Sequence, residues 1–360
     1  MFDVTATFAL GTRVPATGDT VDFLVRIGGR PLDGAVAASL LELSVQQTLG
    51  QAAHLTLRFS AWDSDTEKLT LVDDAMFRPG NSVDVELGYL NQRTPVFWGE
   101  IVGLELEASA TERPVVTVNA YDILHRLGRG QRQDSYSKST YAAIARKIAQ
   151  DIYGVAVDAE DDPIADPENP IVNQENISDF EFLTNLANEI RYELFADAEG
   201  RELVFRKSRF GETPSFGLDA SKDLVQLSAR LDAAGQLGAV EVRAFDSDSK
   251  KPIKLSIDNA DAVDHSYGSV PSRSLITNAV LITQEEAAAH AKAELLRIRS
   301  KYLTASGSCF GRAELRPGIM IEIAGLGTRF GGPYYVTTTT HTLSATGGYR
   351  TSFELEGEPR

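Results

Sequence analysis

The sequence predicts an α+β chain of several domains, mainly antiparallel β. Three observations lead there. Runs such as His54–Ser60 (HLTLRFS) alternate apolar and polar residues, which is the period of a half-buried strand. The middle of the chain switches to apolar spacings of three and four, the period of an amphipathic helix. One strand-forming block also occurs twice. Arg78-Pro79-Gly80 leads into the run SVDVELG, and Arg316-Pro317-Gly318 leads into MIEIAG. Pro95-Val96-Phe97-Trp98 and Pro333-Tyr334-Tyr335-Val336 follow the two copies at the same offset.

The elements follow in order. Val21–Ile27 is a strand between Gly, Thr and Pro signals. His54–Ser60, 83–89, 99–107 and 115–121 add strands, with Asp84 and Glu86 on an outer face. Such a series with turns between its members implies an antiparallel sheet or small barrel. Residues 140–153 place Tyr141, Ile144, Ile148 and Ile152 on one helical face, and Gly154 fits a C-terminal stop. Residues 158–170 are rich in Asp, Glu and Pro and predict an exposed acidic loop. Ser178 and Glu181 form a capping-box pattern opening a second helix, whose buried face is Leu183, Leu186 and Ile190. Residues 194–196 and 202–206 form a short hairpin. Strand signals return at Leu224–Leu231 and 238–245, then a polar turn at 246–251 and a weakly patterned connector at 259–277. Thr283 and Glu286 repeat the capping box, and their helix runs to about Tyr302. Strand and turn fill the remainder. Pro79 and Pro317 are expected to fix the turn before an equivalent strand, and Gly80 and Gly318 to relax it.

Composition narrows the function. At 360 residues the chain exceeds one ordinary core and predicts two to three domains. A net charge of -16 argues against coating nucleic acid, which needs basic patches to neutralise phosphates. No apolar stretch reaches a membrane-spanning length, and the N-terminus lacks a basic start with an apolar run, so neither membrane insertion nor a secretory signal is expected. Cys309 is the only cysteine, which fits a reducing cytosol. Gly-x-Ser-x-Gly, His-Glu-x-x-His, Cys-x-x-Cys and phosphate-loop patterns are missing. The histidines, at 54, 125, 265, 290 and 341, are too scattered for a local metal motif. The acidic runs at 63–67, 73–74 and 160–162 lack the central Gly and terminal Glu of a calcium-binding EF-hand. The expectation is therefore no catalytic residue, no cofactor and no metal. The site residues offered are the repeated structural motif: Arg78, Pro79, Gly80, Arg316, Pro317 and Gly318.

Several stretches together resemble one family. They are VNAYDILHRL from Val118, Ser139-Thr140-Tyr141 with Ile144-Ala145 and Ile148-Ala149, Ser178-Asp179-Phe180-Glu181-Phe182-Leu183, Leu203-Val204-Phe205-Arg206, Tyr334-Tyr335-Val336, Thr340-His341-Thr342-Leu343, and 349–356. In order and spacing they resemble the late control protein D family of contractile phages, and the hub portion of type VI secretion spike proteins and phage-tail-like injection particles. The resemblance covers about 55–356. It implies two tube-like β-barrel domains per chain, a small helical insert and a mixed β middle region. The boundaries are 1–125 for the first barrel, 126–207 for the insert, 208–275 for the middle region and connector, and 276–360 for a helix plus the second barrel. It also implies a baseplate hub: a homotrimer whose six barrels seat a hexameric inner tube protein on a trimeric spike, with a lumen for cargo. The chain has no spike module after 356, so a separate spike protein is expected, along with other baseplate proteins. The acidic charge is expected in part to line the lumen, and the 158–170 loop to face baseplate proteins. Assembly is expected in the bacterial cytoplasm, into the baseplate of a phage tail or tail-like particle. The alternative is a tail-associated protein that binds or hydrolyses peptidoglycan.

Overall fold

A computed structural model of the chain describes residues 20–63, 68–90, 92–109, 111–232, 237–246, 250–259, 273–277 and 283–358. The acidic run at 63–67 and the connector at 260–272 fall largely or wholly outside them.

Besides two-residue strands, of which Arg30–Pro31 pairs with the first strand, the first module is built on β1 (Val21–Ile27), β2 (Leu40–Thr48), β3 (His54–Ser60), β4 (Ser82–Tyr89), β5 (Gln92–Glu107) and β6 (Val115–Asp122). Their alternation buries Leu43, Val45, Leu55, Leu57, Phe59, Val83, Val85 and Val118 in one core. The insert follows. It contains β7 (Arg132–Ser139), α1 (Tyr141–Arg146), β8 (Ala156–Ala159), β9 (Asn169–Ile177), α2 (Asp179–Ile190), β10 (Tyr192–Asp197) and β11 (Glu202–Lys207). Its helices close a separate core around Ile144, Ile148, Phe182, Leu183 and Phe205.

The rest comprises β12 (Phe216–Asp219), β13 (Leu224–Leu231), β14 (Ala239–Asp246), β15 (Lys251–Asp258), β16 (Arg273–Thr277), α3 (Gln284–Ser300), β17 (Leu303–Phe310), β18 (Met320–Ala324), β19 (Gly332–Ser344) and β20 (Gly348–Gly357). β14, β15 and β16 form a small sheet. α3 lays Ala287, Ala291, Leu295 and Ile298 on it, against Val240 and Val242. In sequence α3 precedes the second β block; in space its apolar face belongs to this middle sheet. The last strands enclose a fourth core of Leu303, Ile321, Ile323, Tyr334, Val336, Phe353 and Leu355.

The chain is thus mainly antiparallel β with few helices, as its sequence predicts. One thirteen-stranded sheet runs β13-β17-β20-β19-β2-β3-β6-β5-β4-β1 along its main path and joins both β modules. Some local expectations fail for physical reasons. The periodic run at 140–153 is α-helical only to Arg146 and continues as a π-helix at Lys147–Ile152. Ser178 caps α2 through Glu181 N–H, whereas both arms of a capping box form only at Thr283 and Glu286. Residues 158–170 are not simply an exposed loop. Asp166 is buried, and its carboxylate accepts the N–H groups of Tyr141 and Ala142 at 2.8 and 2.7 Å, satisfying two orphan donors at the start of α1. At the end of the connector, β16 pairs in parallel with β14.

Candidate assembly surface

The two Arg-Pro-Gly corners share one backbone design. Gly80 N–H donates to Ile101 O at 2.8 Å, and Ile101 N–H donates back to Asn81 O at 2.9 Å. Gly318 N–H donates to Val336 O at 2.9 Å, and Val336 N–H donates back to Ile319 O at 2.9 Å. Both glycines have positive φ, +94° and +83°, where a Cβ is strained.

From these anchors the equivalence extends strand by strand. Ile101 and Val336 each precede a β-bulge, before Gly103 and Thr338, against Ala120 and Leu355 respectively. β6 then pairs with β3 through Ala120↔Leu55, and β20 with β17 through Leu355↔Ala305. β3 pairs with β2 through Leu55↔Val45, and β17 with β13 through Ala305↔Ala229. A second matched bulge follows, between Leu40 and Glu42 in β2 and between Leu224 and Gln226 in β13. The residues it pushes out, Leu41 and Val225, are both exposed apolar side chains. So β4-β5-β6-β3-β2 and β18-β19-β20-β17-β13 share one five-strand pairing order with two bulges at equivalent places, while β4–β5 has a further register shift, between Val85 and Glu86, that β18–β19 lacks. They differ at the outer neighbour of the corner strand: β1 pairs antiparallel with β4, and β12 pairs parallel with β18.

The corners differ in surroundings. Arg78, Pro79 and Gly80 are exposed, beside the buried Phe77. Pro317 and Gly318 are buried and Arg316 half-buried, because the insert covers them. Arg316 Nη1 meets Glu199 at 2.5 Å and Asp197 at 3.4 Å, and buried Arg206 donates Nη2 to Gly318 O at 3.1 Å. The sequence carried no signal for Phe195, Asp197, Glu199 or Arg206 at this corner; the contacts span more than a hundred residues of chain.

Between the copies, β19 pairs antiparallel with β2, from Thr338↔Thr48 to Ser344↔Glu42. His341 lies fully buried at this junction, its Nδ1 2.9 Å from Tyr349 Oη, and burial holds its pKa down to about 4. The ring is thus a neutral packing element. Tyr349 itself reaches into the core of the first module. Cys309 is buried, and burial pushes its thiol up to about 12, so it is unreactive at neutral pH. His125 pairs with Glu100 at 3.0 Å, and the carboxylate is also bound by Arg126, whose guanidinium holds its pKa down.

One further cavity, of about 700 Å³, opens where the insert, α3 and the second module meet; Arg191, Glu193, Lys207, His290, Arg297 and Tyr335 are among its lining. Burial raises Glu193 to about 7, opposed by the Tyr335 hydroxyl, which donates to both carboxylate oxygens at 2.6 and 2.7 Å. Among the described residues, no group of three or more His, Cys, Asp or Glu side chains is placed to hold a metal ion. Among them, too, no helix is long and apolar enough to cross a membrane.

Over residues 17–345 the chain matches the model of the family described as the Alg8 N-terminal domain. No curated protein matches it. Among solved structures it is similar to the 43 kDa tail protein of prophage MuSo2 from Shewanella oneidensis, at 15% identity and a TM-score of 0.69, over 93% of this chain and 98% of that one. The tail protein from Neisseria meningitidis MC58 aligns at 15% identity and a TM-score of 0.68, over 94% and 96%. An E. coli protein described as a component of the type VI secretion system aligns at 14% identity and a TM-score of 0.58, over 93% and 76%. At these identities the likeness is one of fold.

Proposed function

We infer the function of this chain from two premises: it belongs to the Alg8 N-terminal domain family, and it has the fold of phage and prophage tail proteins. It is a structural hub of a contractile injection system or phage-tail-like baseplate. It acts as a homotrimeric adaptor that joins a hexameric inner tube to a trimeric spike, around a channel for cargo. It performs no catalysis. Residues 1–125 hold the first tube-like unit and 126–207 the insert; the second unit draws β12 and β13 from 208–275 as well as strands from 276–360, around the middle sheet on which α3 folds back. Other baseplate proteins complete the particle, which assembles in the bacterial cytoplasm.

The observation that carries this reading is the five-strand unit present twice with matched bulges. A trimer of such chains offers six similar units, which is what a trimeric part needs to meet a hexameric one. The named solved structures support it by fold, the E. coli one by its description as a type VI secretion component. The test is light scattering of the purified chain, with and without an inner tube protein from the same genome. A trimer that co-sediments with the tube is expected. A chain that stays monomeric and unbound with the tube protein present overturns the reading.

A further inference from the structure

α3 carries two faces. Ala287, Ala291, Leu295 and Ile298 lie on the middle sheet. Nearly half a turn round the helix, Ala289, Ala293, Leu296 and Ser300 share a second line and form one wall of the cavity of about 700 Å³. Two of these four are alanines, which is why the helix leaves room there. Ile190 at the end of α2 and Phe210 after β11 line the same cavity. Leu296 remains 40% exposed on this wall, a large apolar side chain that the fold does not cover. Small-molecule pockets have this size, roughly 300–1,000 Å³, and this make-up, an apolar wall with a few polar groups set into it.

The polar groups around this wall sort by sign. The chain as a whole is acidic, at -16. Five Lys or Arg side chains nevertheless line the cavity. Lys207 pairs with Asp162, while Arg191 and Arg297 share buried Glu294 at 3.1 and 2.8 Å. Lys292 and Lys301 pair with no carboxylate among the described residues, and their positions on α3 flank the alanine wall on its two sides. The other two acids of the lining are already held by hydroxyls, Glu193 by Tyr335 and Glu356 by Ser300 Oγ at 2.5 Å. Two further lining residues, Tyr192 and His290, are only 6% and 5% exposed, and Tyr192 Oη and His290 Nε2 have no hydrogen-bond partner among the described residues. Unmet buried groups of this kind favour a ligand that brings a polar end.

We propose that this cavity binds a single-chain amphipathic anion. Its apolar chain lies along Ala289, Ala293 and Leu296, facing Ile190 and Phe210, and its anionic head lies at the lysine rim. An anion is attracted by two unpaired ammonium groups, whereas a cationic head meets them as like charges. The apolar wall supplies the rest of the affinity in proportion to the chain length it removes from water. A small anion reaches the lysines but gains nothing from the wall, so both parts of the ligand are required. The cavity lies where the insert, α3 and the second module meet, so a bound ligand stabilises that docked arrangement by mass action. The inference goes beyond the hub reading and does not rest on it.

The test is titration calorimetry of the full chain with dodecanoate below its micelle concentration, with octanoate, acetate and dodecylammonium as comparisons. Dodecanoate is expected to bind once per chain and to raise the melting temperature. Octanoate should bind at least about ten-fold more weakly, because four methylene groups are lost from the wall. Acetate should not bind, and dodecylammonium should bind more weakly than dodecanoate. Ala293→Trp fills the cavity and should abolish dodecanoate binding. Lys292→Glu with Lys301→Glu alters only exposed side chains and should invert the preference between dodecanoate and dodecylammonium. It keeps the test decisive if the tryptophan variant fails to fold. A parent chain that takes up no dodecanoate, or binds dodecylammonium equally well, overturns the proposal. So does dodecanoate binding that survives in a folded Ala293→Trp variant, or a preference unmoved by the double lysine reversal. Trimer formation and tube binding are separate measurements, and none of these outcomes bears on them.

Discussion

Alanine at Gly318 and at Gly80 is expected to separate two corners that share a backbone but not an environment. Both glycines have positive φ, +83° and +94°, so each alanine carries the left-handed penalty of roughly 1–2 kcal/mol. At Gly80 nothing lies within 4 Å of the added Cβ, and the penalty ends there. At Gly318 the Cβ would sit 3.2 Å from Arg206 Nη2 and 3.3 Å from Phe195 Cζ. Arg206 has little room to move: it is 6% exposed, its guanidinium lies 5.4 Å over the Phe195 ring, and Nη2 donates to Gly318 O. Displacing it weakens a buried hydrogen bond from a charged donor, worth about 1.5–3 kcal/mol. Gly318→Ala should therefore lose about 2 kcal/mol more stability than Gly80→Ala. Urea denaturation of the two variants side by side measures the difference. Equal losses, or a larger loss at Gly80, would refute the claim that the insert braces the second corner.

Two further outcomes follow from buried charge. Asp122 accepts Ala53 N–H and Leu124 N–H at 2.7 and 2.9 Å, and burial pushes its pKa up to about 7 against those donors. Its folded pKa lies above the unfolded one, so its contribution is complete at low pH and is lost as pH rises toward 7. The deficit of Asp122→Asn against the parent should then shrink by about 1.4 kcal/mol per pH unit between roughly pH 4 and 7; a deficit that stays constant over that range would mean the group is ionised in the fold. Arg312 and Asp223 pair at 3.2 Å with both side chains 7% exposed, so Arg312→Ala strands a buried carboxylate. About 3–5 kcal/mol should be lost in denaturation, and a loss below about 1 kcal/mol would contradict that burial.

What the sequence made legible was strand alternation and helix caps. β1 and β3 end where their alternation ends, because one face is buried and the other wetter, whereas β13 alternates half-buried Leu227 and Ala229 with exposed residues. β5 was legible only from Gly99, since Pro95 argues against a strand interior. Pro95 is accommodated where the β4–β5 register shifts, between Val85 and Glu86, and Glu86 is its partner. β2 gave no clear signal because Gln46, Gln47 and Thr48 replace apolar residues along its last half. That half pairs with the threonine row of β19, a contact set by tertiary structure. Asp166 reads as loop by composition, and only the fold brings it under the first turn of α1.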